Sequence, residues 1–145
     1  MVKNKALKAL GKGVSYWNDW KKENSNVYNP ANITGAILEN QNFMEADFAE
    51  VIIDKASFHN VKLYGSNFMY SDIKGSKIKH CDFRNCNLHG TNFSNSNIFD
   101  TSFEEANLTS ADFGSATLSN VIFIFPQCLL ALPLCGCKDI ADLCT

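Results

Sequence analysis

The sequence is short of several things that would place it quickly. It has almost no net charge: 13 Lys and Arg stand against 15 Asp and Glu, a formal −2. No global electrostatic case for a nucleic-acid or membrane partner follows from so small a number. No apolar run reaches the roughly 18–20 residues that a membrane-spanning helix needs. Residues 1–13 carry four lysines but no apolar core of signal-peptide length. The six cysteines, two of them far from the other four, do not form the pattern of a small secreted disulfide framework. A cytoplasmic chain is the default expectation. With 46% hydrophobic and 19% charged residues among 145, the composition is that of one globular domain, neither collagen-like, mucin-like nor strongly disordered.

What is present is a period of five. Steps of five from Ile33 reach Leu38, Phe43, Phe48, Ile53, Phe58, Leu63, Phe68, Ile73, Ile78 and Phe83. They continue through Leu88, Phe93, Ile98, Phe103, Leu108, Phe113, Leu118 and Phe123. All 19 positions hold Leu, Ile or Phe, although these make up only 33 of 145 residues, so chance does not produce the run. Two positions earlier, 15 of 19 residues are Ala, Ser, Thr or Cys; Val51, Val61 and Val121 are slightly larger and Gln41 is the misfit. One position earlier, 11 of 19 are Asn or Asp, and two positions later, 9 of 19 are Gly or Asn.

Neither a helix at 3.6 residues per turn nor a strand at 2 gathers every fifth residue on one face. All 19 point inward only if the chain turns by about a right angle every five residues. Four sides then make a coil of about 20 residues, and coils stack at roughly the 4.8 Å strand spacing. The small residue also points inward, because four sides crowd a narrow interior. Gly and Asn suit the corners, where φ is positive. Asn and Asp beside them suit local hydrogen bonds to the backbone.

The pattern resembles the pentapeptide-repeat family, whose consensus runs Ala, Asp or Asn, Leu or Phe, then two variable residues. Ala46-Asp47-Phe48, Ala106-Asn107-Leu108 and Ala111-Asp112-Phe113 match it outright. The resemblance implies an all-β solenoid, a right-handed quadrilateral β-helix, of just under five coils over residues 31–125. Residues 1–30 are then an N-terminal helix and linker, and 126–145 an apolar, Cys-rich tail or cap. Residues 4–24 read as an amphipathic helix, with Leu7, Leu10, Val14 and Trp17 on one face and Trp20 close to it, although Gly11 and Gly13 weaken that reading and a helix beginning near them is the alternative. Its Trp17-Asn18-Asp19-Trp20 is similar to a leader seen before many bacterial pentapeptide repeats. The helix is expected to cap the apolar end of coil one, where Gln41 would meet it; a Lys- and Trp-rich helix on a membrane surface is the other reading. The tail, with Cys128, Cys135, Cys137 and Cys144, reads either as a cap or as a surface for a homodimer, since the quinolone-resistance members of the family dimerise at that end.

No cofactor, metal or active site is expected. Cys81 and Cys86 take the inward small position, whereas His80 and His89 point outward, so the four do not converge on an ion. The many serines belong to the repeat, and no Gly-rich loop precedes a helix. Two functions fit a non-enzyme of this kind: a rigid module that binds or scaffolds a protein partner, or a DNA mimic that binds a type II topoisomerase, as some family members do. Mimicry needs continuous negative charge. By coil the charges are −4, +1, +2 and −3 for residues 31–50, 51–70, 71–90 and 91–110, with a basic band in the middle, and direct nucleic-acid binding is not expected. The candidate protein-binding residues are Met44, Tyr64, Met69, Tyr70 and Arg84. They are outward positions with interface-type side chains, and Gly65 and Gly90 are expected to leave room beside them. Scattered surface apolar residues are the plainer reading of the same five.

Overall fold

A computed structural model describes residues 2–124. Two helices, α1 (Val2–Leu10) and α2 (Val14–Asn24), precede a β-solenoid with five short parallel strands on one side. The strands are β1 (Ile37–Glu39), β2 (Ser57–His59), β3 (Lys77–Lys79), β4 (Asn97–Ser102) and β5 (Thr117–Ile122). They pair in chain order, each position with its counterpart one coil on, as in Leu38 on Phe58 on Ile78. The other three sides carry bridges in the same register: Asn32 with Ile52, Asn42 with Lys62, and Asp47 with Asn67. Four ladders sharing this one-coil register are the quadrilateral coil that a period of five demands. The chain completes between four and five turns.

The row of large residues forms the core. Every one from Ile33 to Phe113 is buried, as is Phe123; Leu118, near the last described turn, is only partly covered. Residues one coil apart stack ring on ring. Phe93 and Phe113 lie 4.8 Å apart and 7° from parallel, and Phe83 and Phe103 5.1 Å and 16°. Opposite sides meet edge to face across the interior, as Phe93 and Phe103 do at 5.8 Å and 87°. Both arrangements suit the quadrupole of an aromatic ring.

The corners explain the remaining columns of the repeat. From position 35 to position 120, every residue two after a centre has a positive φ, fourteen non-glycine residues and four glycines alike. Gly and Asn take that conformation at least cost. Beside the corners, Asx side chains accept from the backbone N–H two residues on, as Asn32 does from Thr34 (2.9 Å) and Asp112 from Gly114 (2.8 Å). Inside, hydroxyls and one thiol at the small position donate to a carbonyl of the preceding coil. Ser66 reaches Phe43 (2.7 Å), Ser76 Ile53, Cys86 Leu63, Thr91 Phe68 and Ser96 Ile73. Ser, Thr and Cys are therefore compatible with a dry interior.

Two expectations need correction. The helix over 4–24 is broken: Gly11 to Gly13 separate α1 from α2, and Gly13 has a φ of 101° that a continuing helix does not accept. Gln41 is exposed rather than interior; a polar side chain of that size is less costly in water than in a dry stack. Of the two tryptophans, Trp17 is fully buried and Trp20 only partly, stacked on it at 5.6 Å. The apolar tail from 126 onward lies outside the described residues.

The α2 contact with coil one is specific. Trp17 packs on Phe48 at 5.6 Å, and its indole N–H donates to the Asp47 carbonyl at 2.7 Å. Asn18 Oδ1 accepts from Asp47 N–H (2.8 Å), while Asn18 Nδ2 donates to the Glu45 carbonyl (3.2 Å). Lys21 pairs with the Asp47 carboxylate at 3.0 Å. One coil higher, the Asn67 N–H donates to Ala46 and its carbonyl accepts from Phe48. Trp17 and Asn18 thus give Asp47 the two backbone partners that a preceding coil would have supplied, and the apolar end of the stack is covered by the same helix.

Candidate functional site: one outer face of the solenoid

On the side whose centres are Phe43, Leu63 and Phe83, the residue after each centre is Met44, Tyr64 and Arg84. The residue before each is Asn42, Lys62 and Asp82. The ladder fixes these rows. Phe43 N–H donates to the Lys62 carbonyl, Leu63 N–H to Asp82, Glu45 N–H to Tyr64 and Gly65 N–H to Arg84. Side chains in one row are consequently held about 4.8 Å apart along the rod. Met44, Lys62, Tyr64, Asp82 and Arg84 line a shallow groove of about 300 Å³. Met44 and Tyr64 are 40% and 39% exposed, so each rests partly on the scaffold and leaves the rest open to solvent.

Arg84 is locked. Its Nε and Nη2 donate to Asp82 Oδ1 and Oδ2, both at 2.8 Å, and its backbone N–H also donates to Oδ1 at 3.1 Å. That bidentate pair holds the Asp82 carboxyl below the usual carboxylate range, with burial opposing it and Lys62 assisting, and raises the already basic guanidinium further. The groove therefore presents a methionine and a tyrosine beside a rigid, planar ion pair and a second cation, Lys62.

The structure brings together three of the five sequence candidates, Met44, Tyr64 and Arg84. Met69 and Tyr70 sit around the next corner on the Phe68 side. Met69 is half-buried there, with its N–H on Asn67 Oδ1 at 3.2 Å. Tyr70 is 56% exposed, and its hydroxyl meets His89 Nε2 at 2.9 Å. Lys62 and Asp82 were not singled out from the sequence. The signal was there, since they lie one coil apart and two residues before Tyr64 and Arg84. The expected room beside the patch is also only half present: a Cβ on Gly65 would meet the Glu45 side chain at an ordinary 3.7 Å, but the space over Gly90 is filled by the Tyr70 ring.

His80, Cys81, Cys86 and His89 do not converge on one point. The buried thiols donate to carbonyls, Cys81 to Lys79 and Cys86 to Leu63, and burial pushes them up to about 11 and about 12. They are neutral thiols at physiological pH. His80 faces outward with Nδ1 3.5 Å from Asp100, and His89 is turned to Tyr70. Among the described residues no group of three or more His, Cys, Asp and Glu is placed to hold a metal ion, and no helix is long and apolar enough to cross a membrane.

Comparison with known proteins agrees with this architecture. The chain is similar to a solved pentapeptide repeat protein, Rfr23 of the cyanobacterium Cyanothece 51142, at 22% identity and a TM-score of 0.63. That match covers 65% of this chain and 65% of the other, so less than two thirds of either length. A pentapeptide repeat protein of the Arabidopsis thaliana thylakoid lumen is 26% identical over 60% of this chain and 68% of its own, with a TM-score of 0.32. QnrB1, a plasmid-mediated fluoroquinolone resistance protein, is 18% identical over 63% of each chain, with a TM-score of 0.23. No curated protein matches the sequence. The family described as "Pentapeptide repeat region" matches residues 31–113, more than half of the 145. With that match and a period of five that folds into four-sided coils, the chain belongs to the pentapeptide-repeat family.

Proposed function

We propose that this protein is a non-catalytic, rigid binding module that engages a protein partner through the groove of Met44, Lys62, Tyr64, Asp82 and Arg84. The observation that carries the reading is the Arg84–Asp82 fork standing beside two half-exposed apolar side chains. Tyr, Met and Arg are enriched at the cores of interfaces, and a pre-ordered side chain loses little entropy on binding. Because the row is fixed by main-chain hydrogen bonds, the groove needs no rearrangement to receive a partner.

Affinity capture with Tyr64→Ala combined with Arg84→Ala tests it. The pair should abolish retention of a partner held by the unaltered protein, with the melting temperature nearly unchanged. Lys74→Ala is the matched control, because Lys74 makes the same two-residue ion pair, with Asp72, on a different side. Undiminished capture by the double variant rejects the groove; equal loss with Lys74→Ala reduces it to general charge.

A further inference from the structure

The helical end carries a second feature, independent of the groove. Lys5 and Lys8 of α1 and Lys12 in the link follow a 3-4 spacing, and all three are exposed. With Ala9, Tyr16 and Trp20 they line one crevice of about 180 Å³ between the helices. Lys12 Nζ lies 4.2 Å from the centre of the Tyr16 ring, and Tyr16 is 45% exposed. The two lysines of α2 are matched: Lys21 pairs with Asp47 and Lys22 with Asp19. Among the described residues, Lys5, Lys8 and Lys12 have no carboxylate within ion-pair distance. Three like charges are thus held together without compensation, which costs energy unless something anionic relieves it.

We propose that this stripe holds the N-terminal end of the protein against an anionic lipid surface. Lysines supply attraction without the planar geometry that a specific carboxylate fork demands, and each lysine held near an anionic bilayer adds to the attraction. The contact is electrostatic rather than insertional. Ala6, Ala9 and Leu10 are buried in the protein, Leu7, Val14 and Trp20 pack against its core, and Trp17 is committed to coil one, so none of these apolar side chains is free to insert. This differs from the Lys- and Trp-driven membrane helix that is the alternative reading of the sequence, since the buried tryptophan takes no part.

Co-sedimentation with phosphatidylcholine vesicles, with and without phosphatidylglycerol, tests the assignment. The protein should bind only the anionic vesicles. Binding should be lost as salt rises from 0.01 M to 1 M, where the screening length falls from about 30 Å to about 3 Å. Lys5→Gln, Lys8→Gln and Lys12→Gln together should lower the partition coefficient about 100-fold, with an unchanged melting curve. Lys77→Gln with Lys79→Gln, which removes charge from the exposed face of β3, should leave binding in place. Equal binding to neutral vesicles, persistence in the triple variant, or equal loss in the β3 pair would each overturn the proposal. So would binding of inorganic phosphate or an acidic polypeptide by the stripe without vesicle binding, which would assign it to a free anion or to an acidic protein.

Discussion

The Cδ1–Cε1 edge of the Tyr70 ring lies against Gly90, one coil away: a Cβ on that glycine would fall 2.5 Å from Tyr70 Cδ1 and 2.6 Å from Cε1. Both residues occupy left-handed corners, at φ 56° and 65°. For a bulky tyrosine that conformation is strained, and the ring's rest on a bare backbone, with the bond to His89, offsets the strain. Gly90→Ala should therefore destabilise the protein by about 1–2 kcal/mol, from the left-handed alanine and the displaced ring together. In a Tyr70→Ala background the same change should cost less. Four denaturant melts, forming a double-mutant cycle, measure the difference; a coupling near zero would dissociate the two residues.

Core and surface positions of the repeat should respond oppositely to charge. Phe83 is fully buried between Phe103 and its other ring neighbours, and Phe83→Asp should unfold the chain. Phe99 follows a centre and is only half-buried, so Phe99→Asp should leave a folded protein. Circular dichroism of the two variants decides it, and equal damage would contradict the register.

The interior hydroxyls are not equivalent. Ser76 Oγ accepts from Ala56 N–H at 3.0 Å and donates to the Ile53 carbonyl at 3.3 Å, whereas the buried Ser71 Oγ has no hydrogen-bond partner among the described residues. Ser76→Ala should cost about 1–3 kcal/mol by leaving buried backbone groups unpaired, and Ser71→Ala should be neutral or stabilising. Thermal melts of the pair give the order directly.

Removing the cap should be felt through the whole rod. Trp17→Ala with Trp20→Ala uncovers Phe48 and leaves the Asp47 carbonyl without its indole donor. The loss should be about 3–5 kcal/mol, seen as a lower melting temperature. Asn18→Ala, which removes no apolar cover, should lose less.

A supercoiling assay should show no potent inhibition of a type II topoisomerase. The face bearing Lys62 and Arg84 and the β3 side bearing Lys77 and Lys79 interrupt any run of negative charge along the rod. Potent inhibition by the purified protein would reverse this expectation.

The solenoid was legible because its rule is local: a large residue every fifth position, a small one two before it, and a corner two after. Residues that obey another rule were not. Gly11 and Gly13 carried a visible warning about the helix, but only the backbone shows that the chain breaks there. Gln41 occupies a column whose other members are inward; its size and polarity mark it as the misfit, but the period alone does not say that the first coil turns it out. Trp17 and Asn18 reach backbone atoms 27 to 30 residues away, a pairing no period encodes. At the groove, the coil-to-coil register was enough to align Met44, Tyr64 and Arg84. It did not show that Asp82 would clamp the arginine, because that contact depends on side-chain reach within one coil.

A ladder that climbs one coil per rung also makes each outer face a matter of phase. Adding or deleting a whole coil lengthens or shortens the rod and leaves every face in line. Adding or deleting a single pentapeptide preserves the buried row just as well, yet it rotates all that follows by a quarter turn. One extra pentapeptide between Tyr64 and Arg84 would keep a foldable core while carrying the arginine, with its aspartate, round the corner from Met44 and Tyr64. In this fold length is counted in pentapeptides, but recognition is counted in whole coils.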